Sequence, residues 1–401
     1  MPGFSNTIGL LRESPTRRID SIRERLRREN RDIIVLSTGQ PSIPPPPRAR
    51  EELAKELIGG GMELFGYTPS QGMLELREAI SSDLKMTGGI DVDPNDVAIT
   101  AGGQEAMFTT FMAILNPGDE VILMDPTYFG YKPILEYLGA KVRRIRLSME
   151  NGFKIDVEEL KRSINPRTKA VVLVSPDNPT GTIIGSSEAK ALADLARDRD
   201  FWLVSDEAYR MLVYEGRHEY LYKYAPERTI SINTFSKDPG MPGWRLGFVY
   251  GPSEAISRVK LAGEELTYCP PAVSQRLAII YLKSSERMSH VQRIVNEYRS
   301  KRDLVINEIR KQLPYARFHI PRGSMFIFLD LSSKVINGDL FAEYALTSHG
   351  VAVVPGSYFS DKYRGAVRVS FVWEPSDRLI EGINRLSAAV ESWKEPDLIR
   401  A

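Results

Sequence analysis

The sequence predicts an α/β protein: a large domain with a mostly parallel, doubly wound sheet flanked by helices, and a smaller α/β domain beside it. Three observations carry this. From Asp96 to about Tyr250, short apolar or β-branched runs alternate with helical patterns, as a sheet buried on both faces requires. Past Ser253 the pattern turns helical and then supplies a second set of shorter strands. The chain has 401 residues, 42% of them apolar, enough for two cores. The expected organisation is an N-terminal segment over 1–47 that joins the small domain, a large domain over 48–285, and a small C-terminal domain over 286–401.

Taken in order, Ile19, Ile22 and Leu26 at helical spacing predict a helix over 16–30. Its arginines alternate with Asp20, Glu24 and Glu29, which marks a solvated amphipathic face rather than a nucleic-acid surface. An extended run over 33–36 leads to the consecutive prolines Pro44 to Pro47, a turn and domain entry. A helix over 48–58 follows, then Gly59-Gly60-Gly61, which lacks the Gly-Lys-Ser/Thr ending of a phosphate-binding P-loop and reads as a flexible loop. Strands are predicted over 97–100, 120–124, 141–147, 170–174, 202–205, 229–234 and 246–250, with helices such as 104–115 and 187–197 between them. The stretch 291–312 predicts a long connecting helix, and strands over 318–320, 325–329, 351–354 and 367–371 complete the small domain.

Composition excludes several classes of function. Lys and Arg total 53 against 52 Asp and Glu, so the charge balance does not point to nucleic acid or an anionic membrane. One cysteine, Cys269, permits no internal disulfide and no cysteine-rich metal site. His218, His290, His319 and His349 show no metal or triad spacing, and no metal is expected. With no apolar leader and no run of ~18 apolar residues, the expected location is cytoplasmic.

The chemistry gathers at strand ends, where ligands bind in doubly wound sheets. Lys237 follows the run 229–235, and Arg245 stands eight residues beyond it in a loop rich in glycine and proline. Burial and a neighbouring cation both favour the neutral amine that Schiff-base chemistry needs, and a guanidinium fork suits a phosphate. Together they point to pyridoxal 5'-phosphate, although taken alone the pair reads more readily as solvated surface charge. Asp206 is the candidate for the protonated pyridine nitrogen; Tyr209 and Asn178 are candidates for the ring's phenolic oxygen, and Tyr128 for stacking on the ring. Gly103 and Gln104 open a helix whose amides offer an anion site, with Thr234 adding a hydroxyl. Singly, each has a plainer alternative: Asp206 as a helix cap, Tyr128 as a core aromatic, Asn178-Pro179-Thr180-Gly181 as a turn.

As a set in one order along the chain, these residues resemble the class I/II aminotransferase family of fold-type I pyridoxal-phosphate enzymes. Thr-Phe-Ser-Lys with its following arginine is similar to the family's Ser-x-Ser-Lys and Gly-x-Arg-x-Gly, which implies that Lys237 forms the Schiff base. Asn178-Pro179-Thr180-Gly181 and Asp206-Glu207-x-Tyr209 resemble its ring-binding motifs. Tyr67 resembles the tyrosine that reaches the phosphate in the neighbouring subunit, which implies a homodimer. Val367-Arg368-Val369-Ser370 resembles the segment that binds the substrate α-carboxylate, implying that role for Arg368 with Asn178 and the Gly39 backbone assisting. The resemblance implies a ping-pong exchange of an amino group between L-amino acids and 2-oxo acids. Thr234 in place of serine, Asp238-Pro239 after the lysine, and Gln104 where some acidic-substrate relatives carry lysine are departures, and no residue is assigned to a substrate side-chain carboxylate. The alternatives are a carbon-sulfur β-lyase of the same fold and, more remotely, a non-catalytic pyridoxal-phosphate-binding regulator, which the lack of a basic DNA-binding module ahead of the domain disfavours. No Gly-x-Gly-x-x-Gly supports a nicotinamide dehydrogenase.

Overall fold

The computed structural model describes residues 3–11 and 15–395. In chain order the elements begin with helix α1 (Pro15–Arg28), strand β1 (Ile34–Val35), α2 (Pro47–Gly59), α3 (Leu74–Gly88), β2 (Val97–Thr100), α4 (Gly103–Ile114), β3 (Glu120–Asp125), α5 (Tyr131–Tyr137) and β4 (Lys141–Arg146). They continue with α6 (Val157–Ser163), β5 (Thr168–Val174), α7 (Ser186–Arg199), β6 (Trp202–Asp206), β7 (Thr229–Thr234), β8 (Gly247–Tyr250), α8 (Ser253–Thr267), α9 (Ala272–Lys283) and α10 (Arg287–Gln312). The chain closes with β9 (Arg317–Phe318), β10 (Phe326–Asp330), α11 (Gly338–His349), β11 (Val351–Ala352), β12 (Val354–Pro355), β13 (Ala366–Ser370) and α12 (Ser376–Ser392).

The large sheet has seven strands in the order β2-β8-β7-β6-β5-β3-β4. Strands β7, β6, β5, β3 and β4 run parallel, and β8 is antiparallel to both of its neighbours, β7 and β2. The reversal follows from the connection: the loop 235–246 carries no crossover helix, so the chain can only return against β7. The central strands are apolar on both faces because helices cover both. Val171, Leu173 and Leu203 pack with α7, and Val172, Val204 and Ile230 pack with α4 and α8.

The small sheet is antiparallel, β12-β13-β10-β9, and a separate parallel pair joins β1 to β11. That pairing, Ile34 with Val351 and Val35 with Ala352, brings the two ends of the sequence together. Ile19, Leu26 and Leu36 share one core with Phe341, Val351 and Ile383. The run 351–354, expected as one strand, divides at Val353: its first half pairs with β1 and its second with β13. Helix α10 begins at Arg287, four residues ahead of the expected start, and spans 26 residues. Among the described residues no helix is long and apolar enough to cross a membrane.

Gly247 is the point of closest approach between strands and site. It lies opposite both Thr100 and Thr234, and a Cβ there would stand 2.7 Å from the Gly102 carbonyl carbon, 2.8 Å from Asn233 O and 2.9 Å from Gly103 N. All three are backbone atoms, of β7 and of the turn into α4, so no side chain can swing aside. Gly247→Ala is expected to destabilise the protein by roughly 1–3 kcal/mol, the usual cost of overpacking. Urea or thermal unfolding measures it, and an alanine variant as stable as the parent contradicts the tight approach.

Candidate active site

A cavity of about 490 Å³ opens at the carboxyl ends of β5, β6 and β7, where Val174, Asp206 and Thr234 line it. The antiparallel sheet closes it with Phe326 on β10 and Arg368 on β13, and the segment after β1 closes it with Ser37, Thr38 and Gly39. Gly103, Gln104, Tyr128, Asn178, Tyr209, Lys237 and Arg245 also reach this cavity, so strand ends far apart in sequence converge on one space.

Lys237 leaves the end of β7, and its Nζ donates to Gly39 O at 2.6 Å and lies 5.6 Å from the Tyr209 ring centroid. Burial pushes the amine down to about 8 from an ordinary 10.5; the Arg368 and Arg245 cations push the same way, and Asp206 opposes them. Asp206 is buried at the end of β6. Burial raises its carboxyl, while hydrogen bonds from the Tyr131 hydroxyl to Oδ2 and from Ala208 N to Oδ1 at 3.0 Å favour the charged form. Tyr209 is buried against Phe326, ring centroids 6.0 Å apart, and burial holds its phenol protonated far above the usual range.

Arg368, 3% exposed on β13, donates from Nη1 to Asn178 Oδ1 at 3.0 Å and from Nη2 to Ser37 O at 2.8 Å. Its guanidinium lies 4.0 Å from the Phe326 ring centroid and 5.1 Å from that of Phe359. Sealed among aromatic rings, it is lowered to about 10 by burial, and its Nε has no partner among the described residues. A carboxylate entering the cavity would meet a guanidinium already stripped of water. The Arg368 bond also commits the Asn178 oxygen and leaves its amide NH₂ to donate.

Across the cavity, Gly102 with φ +93° turns the chain from β2 into α4, whose first residues, Gly103 and Gln104, line the cavity at the helix end where backbone amides lack intrahelical partners. A Cβ on Gly102 would stand 2.4 Å from Arg245 Nη2, so only glycine lets the guanidinium lie against this helix end. Arg245 itself adopts φ +50° and donates from Nη1 to Pro242 O at 2.9 Å. Thr234 Oγ1 sits 2.9 Å from Ser236 Oγ and 3.2 Å from Leu246 O, which pins the Thr-Phe-Ser-Lys turn.

Several lining or supporting residues escaped the sequence reading, among them Asp20 and Arg23 of α1, which line the cavity although that helix was expected to present a solvated face. Ser236 lines the cavity one residue before Lys237, and its place inside the same tetrapeptide was the available signal. Tyr131 is fully buried at the start of α5, three residues after Tyr128, with its ring edge-on to Tyr128 at 5.6 Å. Nothing in sequence pairs it with Asp206, 75 positions away at the end of β6. Tyr67 is not among the lining residues. It is 85% exposed, with its ring 5.1 Å from that of Tyr268. Among the described residues no cluster of His, Cys, Asp and Glu could hold a metal ion.

The family model for aminotransferase class I and II matches residues 31–383. The chain is 35% identical over 373 residues to the aspartate/prephenate aminotransferase of Thermus thermophilus, covering 92% of this chain and 94% of that one. It is likewise 35% identical over 376 residues to the aspartate aminotransferase of Pyrococcus horikoshii, covering 93% and 95%. The solved structure of Thermus thermophilus aspartate aminotransferase with maleate superposes with a TM-score of 0.92 at 33% identity, over 97% of this chain and 100% of that one. A fold that superposes closely and a match along nearly the whole sequence lead to one conclusion: this chain belongs to the class I and II aminotransferases.

Proposed function

We propose that this aminotransferase moves the amino group of an L-amino acid to a 2-oxo acid using pyridoxal 5'-phosphate bound through Lys237. The observation that carries the reading is Lys237 itself, an amine lowered to about 8 in a cavity that also presents a buried carboxylate and a buried guanidinium. The residues fit this cofactor. The Gly102–Gly103 turn with Arg245 forms an anion cradle that a side chain on Gly102 would fill, and Asp206 lies away from it on β6 as the acceptor for a protonated ring nitrogen. When bound, pyridoxal phosphate supplies an electron sink conjugated to the substrate's α-carbon.

Each residue then has a defined task. The amides of Gly103 and Gln104, the hydroxyls of Thr234 and Ser236, and Arg245 hold the phosphate. Asp206 holds a proton on the ring nitrogen, and Tyr131 keeps that carboxylate oriented and charged. Tyr209 and Asn178 donate to the phenolic oxygen, and Tyr128 covers one face of the ring. Arg368 takes the substrate α-carboxylate, and this fixes the α-carbon for Lys237, which removes its proton as a general base. Residues 1–47 and 286–401 act as one small domain that carries Arg368 and Gly39 to the rim of the large domain over 48–285, consistent with the β1–β11 pairing.

A homodimer completes the site. Tyr67 and Tyr268 stand exposed as a pair, with exposed Met62 and Phe65 ahead of the one and Leu266 beside the other. This apolar face is the surface through which Tyr67 reaches the partner's phosphate.

Lys237→Ala is expected to lose the visible band seen after pyridoxal phosphate is added, and at least about 10³-fold in turnover. In the parent, a yellow band that bleaches on adding productive amino-acid donors and returns with 2-oxo acids marks amino transfer; retained turnover in the alanine variant overturns the assignment. The lowered amine has a pH consequence. Only neutral Lys237 reacts with the aldehyde, so the rate of cofactor loading should rise with pH and level off above about 8. Stopped-flow absorbance measures this profile, and a rate still climbing toward the ordinary lysine value contradicts it. Finally, Lys237→Ala and Tyr67→Ala chains, each impaired alone, should regain activity when unfolded and refolded together. A hybrid dimer has one site with both residues intact, so no recovery on mixing argues against a shared site.

A further inference from the structure

Behind the cavity floor lies a second set of buried charges. Asp83 on α3 is 3% exposed and bridges two arginines, accepting from Arg210 Nη2 at 2.5 Å and from Arg287 Nε at 2.7 Å. Arg287, at the start of α10 and 2% exposed, also reaches Asp238 Oδ2 at 3.2 Å. Asp238 is held in addition by the Tyr281 hydroxyl at 2.5 Å, and Arg210 by the Tyr220 hydroxyl at 3.0 Å. The result is a continuous chain of contacts, Arg210 to Asp83 to Arg287 to Asp238, with two charges of each sign and none left over. Their opposite charges hold Asp83 ionised and both guanidinium groups firmly protonated.

The two ends of this chain are the sequence neighbours of site residues. Arg210 follows Tyr209, and Asp238 follows Lys237. In both turns one side chain enters the cavity and the next points away from it, toward Asp83 and Arg287. Between the two sets lies a small cavity of about 10 Å³ bordered by Asn233, Thr234, Asp238 and Arg287. Asn233 Nδ2 and Arg287 Nη2 are buried without partners among the described residues, and both residues border it. Burying three charges, with Asp238 partly buried beside them, costs more than packing apolar side chains of the same volume, so stability alone does not account for them.

We propose that Asp83 and Arg287 are positioning residues of the active site: through Arg210 and Asp238 they hold the turns that present Tyr209 and Lys237, and their mutual neutrality keeps the field at Lys237 constant. The placement rests on Lys237 being the reactive amine, as proposed above. Removing a carboxylate from the chain leaves an uncompensated guanidinium behind Lys237, which disfavours the ammonium. Removing a guanidinium leaves an uncompensated carboxylate, which favours it. The groups that face Lys237 from the cavity itself, Asp206, Tyr209, Arg245 and Arg368, are the same in every variant.

The test reads the midpoint of Lys237 in cofactor-free protein, from the pH dependence of its acylation by acetic anhydride followed by mass spectrometry. Asp83→Asn and Asp238→Asn should lower the midpoint by roughly half a unit or more, and Arg287→Gln should raise it by a similar amount. In Asp83→Asn/Arg210→Gln, where the charges balance again, it should return toward the parent value. A mere loosening of the fold admits water and moves every variant upward, toward an ordinary lysine. Upward shifts throughout, or midpoints unchanged while melting temperatures fall, overturn the proposal. Should Asp83→Asn fail to fold, Asp238→Asn and Arg287→Gln still give the opposite pair of shifts. Because this readout needs no cofactor, it is separate from the cofactor reading, which fails if the parent protein never develops a visible band with pyridoxal phosphate.

Discussion

Everything in the site depends on holding one amine, one carboxylate and one guanidinium out of water within a single cavity. Burial alone would neutralise all three groups. What separates their behaviour is the company each keeps. Lys237 has two arginines near it and gives up its proton readily, while Asp206 is supplied with two hydrogen bonds that oppose its desolvation. Arg368 is sealed between aromatic faces and keeps its charge because a guanidinium, even lowered to about 10, remains protonated at neutral pH.

The parallel sheet is how these three are brought together. Strands β5, β6 and β7 end side by side, so the first residues of their loops share one rim although tens of residues separate them in sequence. The opposite wall comes from elsewhere. Ser37 and Gly39 follow β1, whose pairing with β11 holds the beginning of the chain against its last third. Both carbonyls are engaged, Ser37 O by Arg368 and Gly39 O by Lys237, so this short segment ties the guanidinium and the amine to one wall of the cavity.

Much of this was legible beforehand. Alternation of apolar strands with amphipathic helices gave the sheet and its flanking layers, and the residues placed at strand ends line one cavity. What escaped was contact without sequence signal. Tyr131 reads as one aromatic among several, yet it is the hydrogen-bond donor to Asp206. Asp83, Arg210 and Arg287 read as ordinary helix and loop charges, because a buried ion pair and a solvated one have the same letters. The split of 351–354 between two sheets was likewise invisible, since Val351 to Val354 is one uninterrupted apolar run.

The sequence by itself determined the local choices: which segments form strands, where glycine must turn the chain, and which reactive side chains follow each strand. These depend on neighbours in the chain, and hydrophobic period and backbone freedom are written there. Tertiary structure decided the electrostatics. How far Lys237 is lowered, whether Asp206 stays charged, and what Arg368 touches depend on distances between groups up to 331 positions apart in the chain, as for Arg368 and Ser37. Those distances exist only once the sheet has formed and water has been excluded, because the strength of each charge interaction is set by the packing around it.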